Sequence, residues 1–240
     1  MHLELPREKE RVWLLSIIYR VNLLLAKVLP PQGLLKLLLD LEWIFCRLAT
    51  EQSGQLYSRE SHPSKIESYP FILEEIHPEE TVLDLGSFLG HMSWAISLKA
   101  KEVVGVEIVS ERFEAATRLF KRDNLSFVNE DIIDYLAHTD RVFDVIIISH
   151  VLEHLCNPLE FLRSISKSFK RVYIEVPDFD ATPLNLMRLD AGSKLIYTDA
   201  DHVFEFDRRE LRKLIGMAGL DIEKESFSFG VIRVWCKFIH

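Results

Sequence analysis

Three acidic residues, Asp84, Glu107 and Asp131, each close a short apolar run, and their surroundings suit one extended polar ligand. In Val82-Leu83-Asp84-Leu85-Gly86-Ser87-Phe88-Leu89-Gly90 the run ends in an acid and passes through two glycines four apart before a helix-like stretch. Glycines in such a turn let the backbone come close to a ligand, and the N–H groups of a following helix face it. Val103-Val104-Gly105-Val106-Glu107 ends in a carboxylate 21 residues after Gly86, where its two oxygens can accept from both hydroxyls of a ribose. Phe127-Val128-Asn129-Glu130-Asp131-Ile132 repeats the pattern, with Asp131 able to accept from an adenine amino group while Ile132 packs on the ring. A dinucleotide fingerprint, G-x-G-x-x-G, would need glycine where Phe88 and His91 stand, which disfavours a nicotinamide-dependent oxidoreductase. A tight turn without a ligand accounts for one of these signals more readily than for three.

Further titratable residues follow the later apolar runs. Val142 to Ser149 leads into Ser149-His150-Val151-Leu152-Glu153-His154, and Val172 to Val176 leads into Pro177-Asp178. His202 lies in Tyr197-Thr198-Asp199-Ala200-Asp201-His202-Val203-Phe204 and is the preferred general base, since imidazole titrates near neutral pH; Asp178 and His154 are the other catalytic candidates. Each histidine also has a structural reading, His154 tying a helix start to a loop and His202 anchoring its own loop. His150, His154, Asp178, Asp201 and His202 have metal-ligating side chains, but with no H-E-x-x-H spacing among them no metal is expected.

The elements that position these groups read as an alternation. Apolar runs at Thr81–Leu85, Val103–Ile108, Ser126–Val128, Val142–Ser149 and Val172–Val176 are separated by helix-compatible stretches, which implies a mostly parallel sheet covered on both faces. A helical stretch from Arg208 to Ala218, closed by Gly219, precedes strand-like segments at Asp221–Ser228 and Val231–Ile239, read as an edge pair. Ahead of the sheet, Arg11–Leu29 and Leu34–Ala49 read as helices separated by a turn at Pro30-Pro31-Gln32-Gly33, and Thr50–Ser68 as a loop. The expected division is a helical N-terminal extension and linker over 1–64 and a catalytic domain over 65–240.

With three consecutive turns in view, the chain resembles the class I S-adenosylmethionine-dependent methyltransferases, and within them the small-molecule and glycan enzymes related to those of the ubiquinone pathway, over roughly residues 65 to 235. The first motif of that family, D/E-x-G-x-G-x-G, falls on Asp84, Gly86 and Gly90, with Phe88 in place of its middle glycine. The resemblance implies an α/β fold, a doubly wound seven-stranded mostly parallel sheet of the Rossmann-like methyltransferase type. It implies that Asp84, Gly86, Ser87, Gly90, Glu107, Asp131, Ile132, Ser149 and His150 bind S-adenosylmethionine, with S-adenosylhomocysteine as product. The reaction expected is an in-line methyl transfer to a small-molecule, sugar or glycan-precursor acceptor.

Bulk properties narrow the partners. The 240 residues carry 29 Lys+Arg against 37 Asp+Glu, a net charge of −8 that gives no general attraction for nucleic acid or an anionic membrane. No N-P-P-Y-like tetrad of the kind used by base amino-methylases is present, so a nucleic-acid acceptor is not expected. The three cysteines, Cys46, Cys156 and Cys236, are scattered without metal or disulfide spacing, which suits a reducing cytoplasm, and no cleavable leader is expected. Ser16, Arg20, Asn22 and Lys27 interrupt the first apolar helix, so it falls short of the roughly 18 uncharged residues of a membrane span. The apolar faces of the N-terminal helices suggest a homodimer, packing on the chain itself or peripheral membrane contact, and with that a lipid-linked glycan acceptor. The competing non-enzymatic reading is a binding or scaffold protein that retains the fold without catalysis.

Overall fold

The computed structural model describes residues 13–58, 62–63, 65–165, 169–199 and 201–238. The expected helix start at Arg11, the loop residues Arg59–Ser61 and the expected strand end at Ile239 lie outside them. Seven strands form one sheet: β1 (Thr81–Leu85), β2 (Glu102–Glu107), β3 (Leu125–Asn129), β4 (Phe143–Ser149), β5 (Phe169–Pro177), β6 (Leu220–Ser228) and β7 (Val231–Phe238). Their spatial order is β3-β2-β1-β4-β5-β7-β6. β1 to β5 pair in parallel, and β7 runs antiparallel to both β5 and β6. The order reverses direction beside β1, so the carboxyl ends of β1, β2, β3 and β4 surround the crevice where open α/β sheets take ligands.

Strand alternation sorts the core onto two faces. Leu83, Leu85, Ile146 and Ile148 point to the face covered by Phe161 and Leu162 of α7 (Pro158–Ser164) and Leu211, Leu214 and Ile215 of α9 (Arg208–Met217). Val82, Val103, Val145 and Ile147 point to the other face, against Ile72 of α3 (Ser68–Leu73) and Ile96 of α4 (His91–Ser97). Being buried on both sides, β1, β2 and β4 carry mostly apolar runs, which is why they were plain in the sequence. α5 (Ser110–Leu119) and α6 (Ile132–His138) complete the crossovers from β2 and β3. Helix starts are set locally: Asn157 Oδ1 accepts from Glu160 N–H with Pro158 in the first turn, and Asp207 and Glu210 form a reciprocal capping box.

The chain packs as two units, one of residues 13–48 with Leu186–Ile196 and one of Ala49–Asn185 with residues 197–238. The larger unit thus begins ahead of residue 64, and the smaller one includes the later segment Leu186–Ile196. In the smaller unit, α1 (Trp13–Leu25) buries none of its residues. From α2 (Pro31–Ser53), Asp40 and Glu42 accept from Ser193 Oγ and from the Arg188 guanidinium of α8 (Leu184–Asp190). No described helix is long and apolar enough to cross a membrane. The expected turn at Pro30-Pro31-Gln32-Gly33 is displaced, because the turn lies at residues 26–29 and Pro31 is the first helical residue of α2. Proline suits that position, since the N–H it lacks has no partner inside a helix. α2 also runs on to Ser53, so the connection to α3 is shorter than the expected loop.

One glycine inside a strand explains how the layers close near the crevice. A Cβ on Gly105 would lie 2.7 Å from the Phe127 ring and 2.9 Å from Ser87 Cβ, so the bare backbone of β2 admits both. Gly105→Ala is expected to destabilise the fold by about 1–3 kcal/mol, read as a lower urea midpoint at unchanged slope.

Candidate active site

The turn after β1 is built on positive backbone angles. Gly86 and Gly90 have φ of 74° and 78°, and Phe88 between them takes φ 52° despite its side chain. A Cβ on Gly86 would come within 2.9 Å of Val151 Cγ2, and one on Gly90 within 2.6 Å of the Phe127 ring, so both positions exclude side chains on space as well as on angle. Phe88 therefore keeps the left-handed backbone that the middle glycine of the motif would adopt freely, at a cost of roughly 1–3 kcal/mol. Its ring lies beneath the Arg112 guanidinium, 4.4 Å from the ring centre. The N–H groups of Gly86 and Ser87 both donate to the Val106 carbonyl, fixing the turn to the end of β2. Asp84 is buried below the turn and accepts from Ser93 Oγ at 2.5 Å. Burial, opposed by the Ser93 hydroxyl and reinforced by the nearby Glu107 charge, pushes its pKa up from 3.8 to about 6.

Glu107 joins this turn to the next. Its Oε2 accepts from Phe88 N–H at 2.9 Å and its Oε1 from Val109 N–H at 2.8 Å, while Arg112 Nη1 stands 4.0 Å from Oε1. Each carboxylate oxygen keeps a further lone pair for a hydroxyl. At the third turn Asp131 caps α6, with Oδ1 accepting from the N–H groups of Ile133 and Asp134.

Cavities lie on either side of the glycine turn and share Gly86 and Phe88. One of ≈ 450 Å³ is lined by Tyr57, His62, Lys65, Asp84, Ser87 and Ser149 among others. The other, of ≈ 650 Å³, is lined by Glu107, Arg112, Asp131, Ile132, His150 and His154 among others. Except for Gly90, which lines neither and stands at the start of α4, the residues expected to bind a cofactor thus line one or other of these two cavities. Ser87 Oγ is buried there without a hydrogen-bond partner among the described residues.

Beneath the crevice sits a charge network that sequence reasoning did not identify. Glu175, fully buried near the end of β5, accepts from Lys65 Nζ (2.7 Å), Tyr173 Oη (2.7 Å) and Ser149 Oγ (3.2 Å), with Arg233 Nε 3.2 Å away. His150, at φ 55°, places Nε2 3.0 Å from Glu175 Oε1 and Nδ1 3.0 Å from Glu153 Oε1. Burial would raise the Glu175 pKa, but His150 and Lys65 together hold it well below the usual carboxylate range. Burial and the Lys65 charge oppose protonation of His150, yet its two carboxylate partners leave its pKa raised. No local pattern marks Glu175, because Lys65 and Arg233 reach it from far along the chain.

The three catalytic candidates separate. Asp178 lines neither cavity, since it is buried with Arg208 Nη2 and Nε at 2.7 and 3.1 Å and its Oδ1 accepts from Asp180 N–H. A carboxylate so occupied is a structural tie between β5 and α9. His154 lines the larger cavity, and His202 meets it edge-on with ring centres 4.7 Å apart. His202 Nδ1 faces Glu205 Oε1 at 2.9 Å. Burial and this carboxylate act oppositely on His202, and the net effect raises its pKa.

Comparison with known proteins identifies the family and the fold. A family model described as a methyltransferase domain matches residues 57–225, and the chain belongs to that family. A S-adenosylmethionine-dependent methyltransferase from Archaeoglobus fulgidus superposes with TM-score 0.57 at 19% identity, covering 79% of this chain and 98% of the other. Magnesium protoporphyrin IX methyltransferase from Synechocystis, solved with bound S-adenosylhomocysteine, gives TM-score 0.57 at 16% identity over 73% of this chain and 84% of that one. At these identities both establish the fold, a Rossmann-like methyltransferase sheet. An uncharacterised RNA methyltransferase of Mycoplasma mobile is 39% identical over 83 residues, 33% of this chain, and this chain spans only 23% of its length. Nothing in these matches singles out the ubiquinone-pathway branch.

The Asp84 environment has a pH consequence. A carboxyl whose folded pKa is raised contributes most below its unfolded value of 3.8 and loses that contribution as pH climbs through about 6. Against Asp84→Asn, the wild-type protein should therefore lose on the order of 3 kcal/mol of relative stability between pH about 3.5 and about 7, measured by urea unfolding at each pH. A pH-independent difference between the two proteins would contradict the burial of an ionisable carboxyl there.

Proposed function

We infer that this chain transfers a methyl group from S-adenosylmethionine to a small-molecule, sugar or glycan-precursor acceptor. The observation that carries the reading is the pair of cavities that meet at Gly86 and Phe88 of the glycine turn, with Glu107 and Asp131 lining one and Ser87 the other. The donor set fits the cofactor. Glu107 has free lone pairs for two ribose hydroxyls, Asp131 and Ile132 stand one turn further for an adenine, and the orphan Ser87 hydroxyl waits on the opposite side. When bound, S-adenosylmethionine supplies a methyl group on a sulfonium that departs as a thioether. The protein's part is to align the acceptor with that methyl and to keep water out. His154, with His202 against it, marks a polar end of the larger cavity at which an acceptor hydroxyl would be held.

The net charge of −8 favours an uncharged or cationic acceptor over a polyanion, and the RNA named for the Mycoplasma relative belongs to a protein matched only in part. The unburied apolar helix α1 keeps a lipid-linked acceptor, peripheral membrane contact or a homodimer within the same proposal. Three retained acceptor positions on consecutive turns favour a working enzyme over a silent scaffold.

Calorimetric titration tests the reading. S-adenosylmethionine and S-adenosylhomocysteine should bind and NAD should not, and Glu107→Ala should weaken both by roughly 1–3 kcal/mol, since it removes a charged acceptor and unties the Phe88 N–H. Unchanged affinity in that variant would place the pocket elsewhere, and absence of binding by the wild-type protein would favour the scaffold reading.

A further inference from the structure

We propose that Glu153, His154 and His202 form a binding site for a divalent transition-metal ion, Zn²⁺ by the chemistry of the set. One ligand-capable atom from each residue lies within 4.8 Å of the others. The histidines are 48 positions apart, too far for any helical metal motif, and the loop brings them together through its backbone. Val203 and Phe204 both donate their N–H to the Glu153 carbonyl, which holds His202 against the short 3-10 turn Leu152–His154.

Three observations favour a cation over a plain histidine plug. First, Glu153 is wholly buried and its Oε2 has no hydrogen-bond partner among the described residues, while Oε1 faces His150 Nδ1 at 3.0 Å. A buried carboxylate oxygen left without a partner carries a desolvation cost that a ligated metal would remove. Second, both rings have their Nδ1 engaged in the way metal-binding imidazoles are usually steadied. His202 Nδ1 faces the Glu205 carboxylate at 2.9 Å and His154 Nδ1 the Asp201 carbonyl at 3.4 Å, and the proposal assigns Nε2 of each ring to the metal. Third, the surroundings are acidic, with Glu153, Glu205, Asp199 and Asp201 grouped about two imidazoles.

Two imidazoles and one carboxylate are a ligand set used for zinc sites that keep an open coordination position. His154 also lines the ≈ 650 Å³ cavity, as do Asp199 and Asp201, so the site adjoins the space assigned above to the reacting groups. On that functional reading, an ion there would select acceptors that offer an oxygen ligand, such as a hydroxyl or a vicinal diol. The metal site itself does not depend on that reading.

The test uses the full chain, stripped with chelator and titrated with Zn²⁺ by calorimetry and with Co²⁺ by visible absorption. One equivalent should bind, with Co²⁺ giving the intense d–d bands of a four- or five-coordinate site. His154→Ala and His202→Ala should each weaken Zn²⁺ binding at least tenfold, and Glu205→Gln by about 10–100-fold through the steadying contact alone. His77→Ala, outside the cluster, should bind as the wild-type protein does. Far-ultraviolet circular dichroism confirms that each variant is folded, and Glu205→Gln keeps the test informative if a histidine variant is not. No saturable binding, or binding indifferent to His154 and His202, would overturn the proposal. Titrating the same stripped protein with S-adenosylhomocysteine separates the two claims, because binding there without metal leaves the cofactor reading intact whatever the metal result.

Discussion

The Glu107 carboxylate is the fastening on which the crevice depends. By accepting from Phe88 N–H with one oxygen and Val109 N–H with the other, it clamps the turn after β1 to the turn after β2. Without that clamp, Phe88 would have no evident reason to hold a left-handed backbone angle, and the two cavities would lose the ridge they share. The acid therefore shapes the protein at the spot where, on the proposed function, its remaining lone pairs would meet a ligand. Arg112 joins the same group by stacking over Phe88 while standing near the carboxylate. This is how a chain lacking the middle glycine of the motif still forms its turn.

Below the crevice, Glu175 imposes a second constraint. Removing a carboxylate from water costs several kcal/mol, and here the cost is offset by a lysine, a histidine, a tyrosine and an arginine arriving from four separate segments. Such a centre adds little net stability and much specificity of arrangement, since any partner left out strands a buried charge. It fixes Ser149 and His150, the last residue of β4 and the one after it, and so sets the floor of the crevice between the two cavities.

Much of the fold was legible because its strands are buried on both faces. Thr81–Leu85 was read directly, and the edge pair β6 and β7 was foreseen from apolar segments following a glycine stop. The acids at 84, 107 and 131 stand out in the sequence for a related reason: each closes an apolar run, and in a parallel sheet strand ends are where ligands are usually taken. What escaped the sequence was whatever depends on distant partners. Lys65 read as part of a polar loop, yet it ion-pairs with a strand 110 residues on. Asp178 read as a candidate catalytic base, yet its carboxylate accepts from Arg208. His154 and His202 were set aside as metal ligands because their spacing fits no local motif, and Glu153 joins them only through the backbone bonds of Val203 and Phe204. Proline 31 was taken for a turn residue when it opens a helix, a distinction that one residue type does not carry.

The claim on which the functional account turns is that one extended ligand lies across the glycine turn with its sugar at Glu107. A crystal structure of the complex with S-adenosylhomocysteine tests it most directly. Both ribose hydroxyls should lie within hydrogen-bond distance of the Glu107 carboxylate, the adenine beside Asp131 and Ile132, and the amino-acid end in the cavity lined by Ser87 and Lys65. An adenosine found elsewhere on the sheet, or a ribose held without Glu107, would contradict it.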